Sequence, residues 1–244
     1  MTANKKTLFI SDLHLEENQP EITRQFLQLL AECDSTCDAL YILGDLFEAW
    51  IGDDEDTPLH HQIIHALKSA TDKGLSIYFL HGNRDFLIGK KFLRATGCKL
   101  LSDEEKIILY GIPVLLMHGD TLCTRDIAYL KARKKSRNHF LQFLFLSLPL
   151  TFRRKIADNM RKKSERYKEN VSMEIMDVTQ EEVERVMQKH HVYHLIHGHT
   201  HRPATHQFSL QQAKAERIVL PAWHGHGSVL IWDETGQKTL LDLK

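Results

Sequence analysis

Apolar residues recur along this chain in short runs separated by longer stretches of mixed polarity, and the two spacings distinguish strands from helices. Residues 7–11 (TLFIS) make an apolar run of strand length, and 39–43 (ALYIL) and 75–80 (LSIYFL) repeat it. Between the first two, Pro20 opens a segment in which Ile22, Phe26, Leu29 and Leu30 mark one helical face. A second helix is predicted over 58–73, stopping at Gly74. Residues 106–118 divide into two strands about a Gly111-Ile112-Pro113 turn. Later strands are predicted at 193–196, 217–220 and 228–232, and Glu234-Thr235-Gly236 turns the last hairpin. Strand, loop and helix in alternation predict an α/β fold: a mixed sheet stack with helices outside.

One stretch departs from this alternation. Residues 125–170 carry no strand signal, and their 14 Lys and Arg against 4 Asp and Glu leave a local charge of +10. Inside it lies FLQFLFLSLPL (140–150), flanked by Arg133-Lys134-Lys135 and Arg153-Arg154-Lys155. The 147–149 segment (SLP) breaks two helices into a hairpin. Two readings compete: helices packing their apolar faces on the main body, or a lid. A lid's apolar side chains would receive hydrocarbon, and its basic ones would meet phosphate or an anionic membrane surface.

Composition adds limits rather than identity. With 244 residues, 42% of them hydrophobic, the chain can bury a full core as one domain, 1–244, with 125–170 inserted in it. The net charge is zero, so bulk charge favours neither nucleic acid nor membrane. Four Cys without a CxxC pair suit a reducing compartment. The N-terminal MTANKKTLFIS has no signal-peptide apolar core, and no run approaches the ~18 apolar residues of a membrane span. The expectation is a soluble cytoplasmic chain, peripheral to a membrane at most.

The chemistry sits where the apolar runs end. Asp12 and His14 follow the first strand, Asp45 the second, Asn83 the third, His118 the fourth block and His197 with His199 the fifth. Carboxylate, imidazole and carboxamide without thiolate suit Mn²⁺, Fe, Zn²⁺ or Mg²⁺. Residues two apart on extended chain face the same way, so Asp12 with His14, and His197 with His199, can each serve one ion. Asp45, alone in its block, is the natural bridge between two ions ~3.5–4 Å apart that activate water for in-line phosphoryl displacement. Gly44, Gly82, Gly119 and Gly198 allow sharp turns beside the ligands. His60, His61, His65, His190 and His191 are assigned to solvated helix faces.

In order, D-x-H, GD, GN, a strand-end His and G-H-x-H resemble the calcineurin-like metallophosphoesterases over residues 12 to 199. The resemblance implies a four-layer α/β/β/α sandwich with a dinuclear site. The third block commonly reads GNHD there and reads Gly82-Asn83-Arg84-Asp85 here. Arg holds phosphate oxygens and offsets charge but cannot act as an acid. GDLFEAWIGDD, HGNRDFL, MHGDTLCT, IMDV and IHGHTHRP resemble the branch that cleaves UDP-2,3-diacylglucosamine in lipid A biosynthesis.

That branch implies water attack at the α-phosphorus, release of UMP and 2,3-diacylglucosamine 1-phosphate (lipid X), two Mn²⁺, and a cytoplasmic enzyme resting on the inner membrane. Asp12, His14, Asp45 and His199 would hold one ion, and Asp45, Asn83, His118 and His197 the other. Asp45, Asn83 and Arg84 would carry catalysis. Asn83, Arg84, Asp126, Ser164 and His197 would contact substrate; Val171 stands where the branch has a Lys, and Lys168 or Asn170 would substitute for it from one turn away. Acyl chains would lie between the hairpin and the main body, beside Trp50 and Phe47. A nuclease or cyclic-nucleotide phosphodiesterase would use the same ions but needs a basic groove with stacking aromatics. A non-catalytic scaffold is expected to lose ligands, and all seven are present. No nucleic-acid partner is expected.

Overall fold

The computed structural model describes residues 4–172 and 174–243. Its first sheet runs β11(Lys238–Asp242), β10(Ser228–Asp233), β1(Lys6–Ile10), β2(Cys37–Ile42), β3(Ser76–Phe79), β4(Lys99–Leu100). The second runs β5(Glu104–Leu109), β6(Ile112–Met117), β7(His194–His197), β9(Ala213–Val219), β8(Ala204–Leu210). The neighbours β1, β2 and β3 are parallel, as are β6, β7 and β9.

Alternation along each strand sorts the core into three apolar layers. Phe9, Tyr41, Leu43 and Trp232 of the first sheet meet Val114, Leu116, Ile196 and Ile218 of the second. The other face of the first sheet, with Leu8, Leu40, Ile42 and Ile77, packs on α1(Pro20–Glu32), α2(Pro58–Asp72) and α3(Lys90–Thr96). The other face of the second, with Leu115, Met117 and Leu195, packs on α7(Gln180–His190) through Val183, Val186 and Met187. The result is helix, sheet, sheet, helix. Sequence patterning omits α3, β4, β8 and α7. The last of these was legible: Val183, Val186 and Met187 recur at helical spacing between an acidic first turn and a basic last turn.

Helices α4(Ile127–Ser136), α5(His139–Leu146) and α6(Leu150–Asn170) fill the basic stretch, with the expected break at 147–149. No residue of α4 or α5 is buried. Phe140, Phe143 and Phe152 are 67%, 68% and 61% exposed, so these apolar faces do not pack on the body. The helices are held instead by arginines. Arg133 donates to Asp120 and Asp103, Arg137 to the Gly82 carbonyl, Arg153 to the Ile51 carbonyl and Asp54, and Arg154 to Glu55.

Two expectations fail here. Trp50 and Phe47 are core residues, 3% and 1% exposed, packed on each other and on Phe92, and offer no face to an acyl chain. His60 is not on a solvated face, because its ring lies 4.4 Å from that of Trp50 and is buried with it.

Candidate metal centre

The carboxyl ends of parallel strands in both sheets meet at one rim, the usual site position in such folds. Beyond β1 and β2 the chain continues side by side: Asp12 N–H donates to Gly44 O, His14 N–H to Asp45 O, and Leu15 N–H to Leu46 O. This coupling places Asp12, His14 and Asp45 together. Asp12, His14, Asp45, His199 and His201 all have left-handed φ, between 50° and 68°. Each such conformation costs roughly 1–3 kcal/mol in a non-glycine residue and persists only where the surrounding structure holds it.

Each carboxylate is held by one oxygen and offers the other. Asp12 Oδ2 accepts from Ser11 Oγ at 2.6 Å and from His199 N–H at 2.9 Å. Asp12 Oδ1, buried and without a hydrogen-bond partner, stands 3.4 Å from His201 Nε2 and 4.0 Å from His14 Nε2. Asp45 Oδ1 accepts from Arg84 N–H at 2.8 Å. Its Oδ2 stands 3.8 Å from His14 Nε2 and 3.7 Å from His118 Nε2. A Cβ on Gly82 or Gly198 would lie 2.1 Å from the Asp45 or the Asp12 carboxylate, so both positions need glycine to cradle those groups.

Donor atoms of Asp12, His14 and His201 lie within 4.8 Å of one another, and so do those of Asp12, Asp45 and His118. Beside the second set, Asn83 Oδ1 faces His118 Nε2 at 3.0 Å and His199 Nδ1 at 2.9 Å. His118 Nδ1 already meets the Leu43 carbonyl at 2.9 Å. That leaves Nε2 facing the rim. Burial disfavours a charged His118, but the Asp45, Asp12 and Asp120 carboxylates outweigh it and raise its pKa to about 9. Burial and the His118 charge push His199 down to about 3. Asp12 is held well below the usual carboxylate range: although burial opposes it, the surrounding His201, His118 and His14 imidazoles prevail. Converging lone pairs, an orphaned buried oxygen and hard N/O donors fit divalent cations.

The fifth block needs correction. His197, fully buried, turns its Nε2 to Arg217 Nη1 at 3.1 Å and its Nδ1 to the Gly198 carbonyl at 2.9 Å. Both ring nitrogens are engaged inside the body, so His197 reaches neither an ion nor a substrate. His199 and His201 stand at the rim instead. Reading 197, 199 and 201 by period two leaves the pair ambiguous; aligning G-H-x-H on Gly198 selects His199 and His201. His224 Nε2 in turn approaches His201 Nδ1 at 3.2 Å.

Other expected contacts divide. Arg84 borders the rim, its Nη1 3.4 Å from Glu48 Oε1. Asp126 is buried as the N-cap of α4, accepting from Tyr129 N–H and Tyr167 OH, which engages Oδ1. Ser164 is half-buried on α6. The Lys168 side chain lies outside the described residues. A residue not anticipated is Asp85, whose fully buried carboxylate accepts from Gly82 and Leu46 N–H and so ties the Asp45 and Asn83 loops. Burial and the Asp45 charge raise its pKa to about 7.

Strand-end carboxylates and imidazoles shared between two stacked sheets define a metal-dependent phosphoesterase fold. The calcineurin-like phosphoesterase profile matches residues 5–203. A UDP-2,3-diacylglucosamine hydrolase of Klebsiella pneumoniae subsp. pneumoniae is 54% identical, the match covering 92% of this chain and 93% of the relative. The Serratia proteamaculans protein of the same name is 52% identical over the same shares. An archaeal phosphodiesterase structure shares the fold at TM-score 0.50 and 12% identity, covering 98% of this chain and 99% of that one. The chain thus belongs to the calcineurin-like phosphoesterases and, among them, to the UDP-2,3-diacylglucosamine hydrolase family.

Proposed function

We propose that this protein hydrolyses the pyrophosphate of UDP-2,3-diacylglucosamine at the α-phosphorus, yielding UMP and 2,3-diacylglucosamine 1-phosphate with two Mn²⁺. One observation carries the reading: a two-sided carboxylate and imidazole rim borders helices whose apolar side chains are exposed. Asp12, His14, Asp45 and His201 would hold one ion. Asp45, Asn83, His118 and His199 would hold the other, Asp45 serving both sets. When bound, such ions acidify water and offset charge on phosphate oxygens.

The chain's own groups do the rest. Arg84 offers planar donors to the equatorial phosphate oxygens, where charge develops. Asp85 keeps the loops of Asp45 and Asn83 at fixed spacing. Residues 125–170 act as a lid, with Phe140, Phe143 and Phe152 receiving acyl chains and the neighbouring lysines and arginines meeting anionic headgroups. No helix among the described residues is long and apolar enough to cross a membrane. Peripheral attachment to the cytoplasmic face of the inner membrane accounts for the exposed apolar faces without a span.

Metal-stripped protein resupplied with Mn²⁺, Mg²⁺, Zn²⁺ or Fe²⁺ tests this reading. UMP release from UDP-2,3-diacylglucosamine is expected, fastest with Mn²⁺, as followed by mass spectrometry of both products. Equal turnover of UDP-glucose, which lacks acyl chains, would refute the lipid reading, and cation-independent release would refute the metal centre.

A further inference from the structure

We propose that Glu48 is a positioning residue whose two carboxylate oxygens act separately, one setting the His14 ring and the other placing the Arg84 guanidinium. The inference rests on the metal-centre reading above.

Backbone geometry fixes Glu48 against the segment that carries His14. Glu48 N–H donates to Leu15 O at 3.2 Å, and Leu15 and Phe47 form a short parallel bridge. From there Oε2 stands 2.9 Å from His14 Nδ1, and Oε1 stands 3.4 Å from Arg84 Nη1. His14 turns its other nitrogen, Nε2, toward Asp45 Oδ2 and Asp12 Oδ1. Neither ring nitrogen makes an aligned hydrogen bond, so the 2.9 Å approach is close in distance but not yet directed.

As a ligand His14 would offer the Nε2 lone pair, which requires the proton on Nδ1. Glu48 faces that nitrogen and selects that tautomer. A carboxylate on the outer N–H of a ligating imidazole orients the ring and raises its basicity. The second arm is independent of the first. Arg84 N–H already serves Asp45 Oδ1, which leaves the guanidinium on its flexible stem to be held by another anion. Glu48 supplies that anion and keeps the donors at the rim before phosphate arrives, which lowers the cost of orienting them during reaction.

Two substitutions separate the arms. In Glu48→Gln the amide oxygen still accepts from His14, whereas the amide N–H₂ cannot pair with Arg84. Calorimetric titration of the metal-stripped protein with Mn²⁺ is expected to give an affinity within about threefold of wild type, with the His14 Nδ1–H tautomer retained in ring ¹⁵N spectra. Its kcat is expected to fall by roughly tenfold with little change in KM. In Glu48→Ala, Mn²⁺ affinity is expected to fall by about 10–100-fold as well. A wild-type kcat in Glu48→Gln together with wild-type Mn²⁺ affinity in Glu48→Ala overturns the proposal and leaves the metal centre standing. If Glu48→Ala does not fold, the tautomer and kcat of Glu48→Gln decide. Wild-type protein that binds no Mn²⁺ removes the centre and this inference with it.

Discussion

The metal rim and the helices beside it are held by different physics. The rim residues hang from strand ends between dry apolar layers, and backbone N–H groups hold one oxygen of Asp12 and of Asp45. Helices α4 to α6 bury no apolar side chain from their first two members and attach through Arg133, Arg137, Arg153 and Arg154. A site that must hold several like charges at fixed spacing needs the first kind of support. A surface that adapts to two flexible acyl chains is better served by the second, because ionic contacts near solvent are weak and screened.

The rim is therefore where one substitution does the most damage. Asp45→Ala removes the oxygen between His14 and His118, and UMP release is expected to fall by about 10³-fold or more. Circular dichroism at 25 °C should show the fold retained. A variant that keeps a tenth of wild-type turnover would break the claim that Asp45 bridges the centre.

His201 and His197 sharpen the same contrast within one loop. His201→Ala is expected to lose about 10²-fold in Mn²⁺ affinity and in turnover, since a ligand at the rim is removed. His197→Ala is expected to destabilise by about 2–4 kcal/mol, because it opens a cavity and leaves the Arg217 guanidinium unpaired inside. Urea unfolding and metal analysis of both variants separate the cases. The reverse pattern would return His197 to the ligand set.

Much of this was legible in sequence. Runs such as LFISD and LYILGD announce both strand and ligand, because the strand is apolar on two faces and the acid stands where it ends. The misassignment of His197 has a physical cause: alternation says which residues share a face, not which face meets the rim. The G-H-x-H motif aligned on Gly198 resolves it, and in the fold the buried His197 ring turns to Arg217 while His199 and His201 stand at the rim. Trp50 and His60 misled for a related reason. An aromatic beside a catalytic loop and a His on a helix look available until tertiary packing puts them together. Glu48 was invisible as a functional group, since a glutamate in a loop carries no signal until two partners converge on it.

On the lid side, the arginine contacts predict salt sensitivity. Arg153→Ala removes donors to the Ile51 carbonyl and Asp54 and should lower turnover of the diacylated substrate by roughly tenfold, with stability reduced by about 1–2 kcal/mol. In wild-type protein, raising salt from about 0.05 to 0.5 M should speed amide exchange in α5 and α6 while β1, β2 and β6 stay protected. Uniform protection at both salt concentrations would show that the helices are packed as tightly as the sheets.

The exposed apolar face gives the smallest expected change and the cleanest separation of roles. Phe143 is 68% exposed, so Phe143→Ser forfeits little native packing, and stability should stay within about 0.5 kcal/mol of wild type. An acyl chain that covers the ring would lose about 1 kcal/mol of apolar burial, or roughly a fivefold rise in KM for the diacylated substrate. A small water-soluble phosphodiester, which never reaches α5, should be cleaved at the unaltered rate. Were KM to stay constant for the lipid and the protein to melt early instead, Phe143 would be a packing residue, and the division between a rigid rim and a compliant lid would fail at its outermost point.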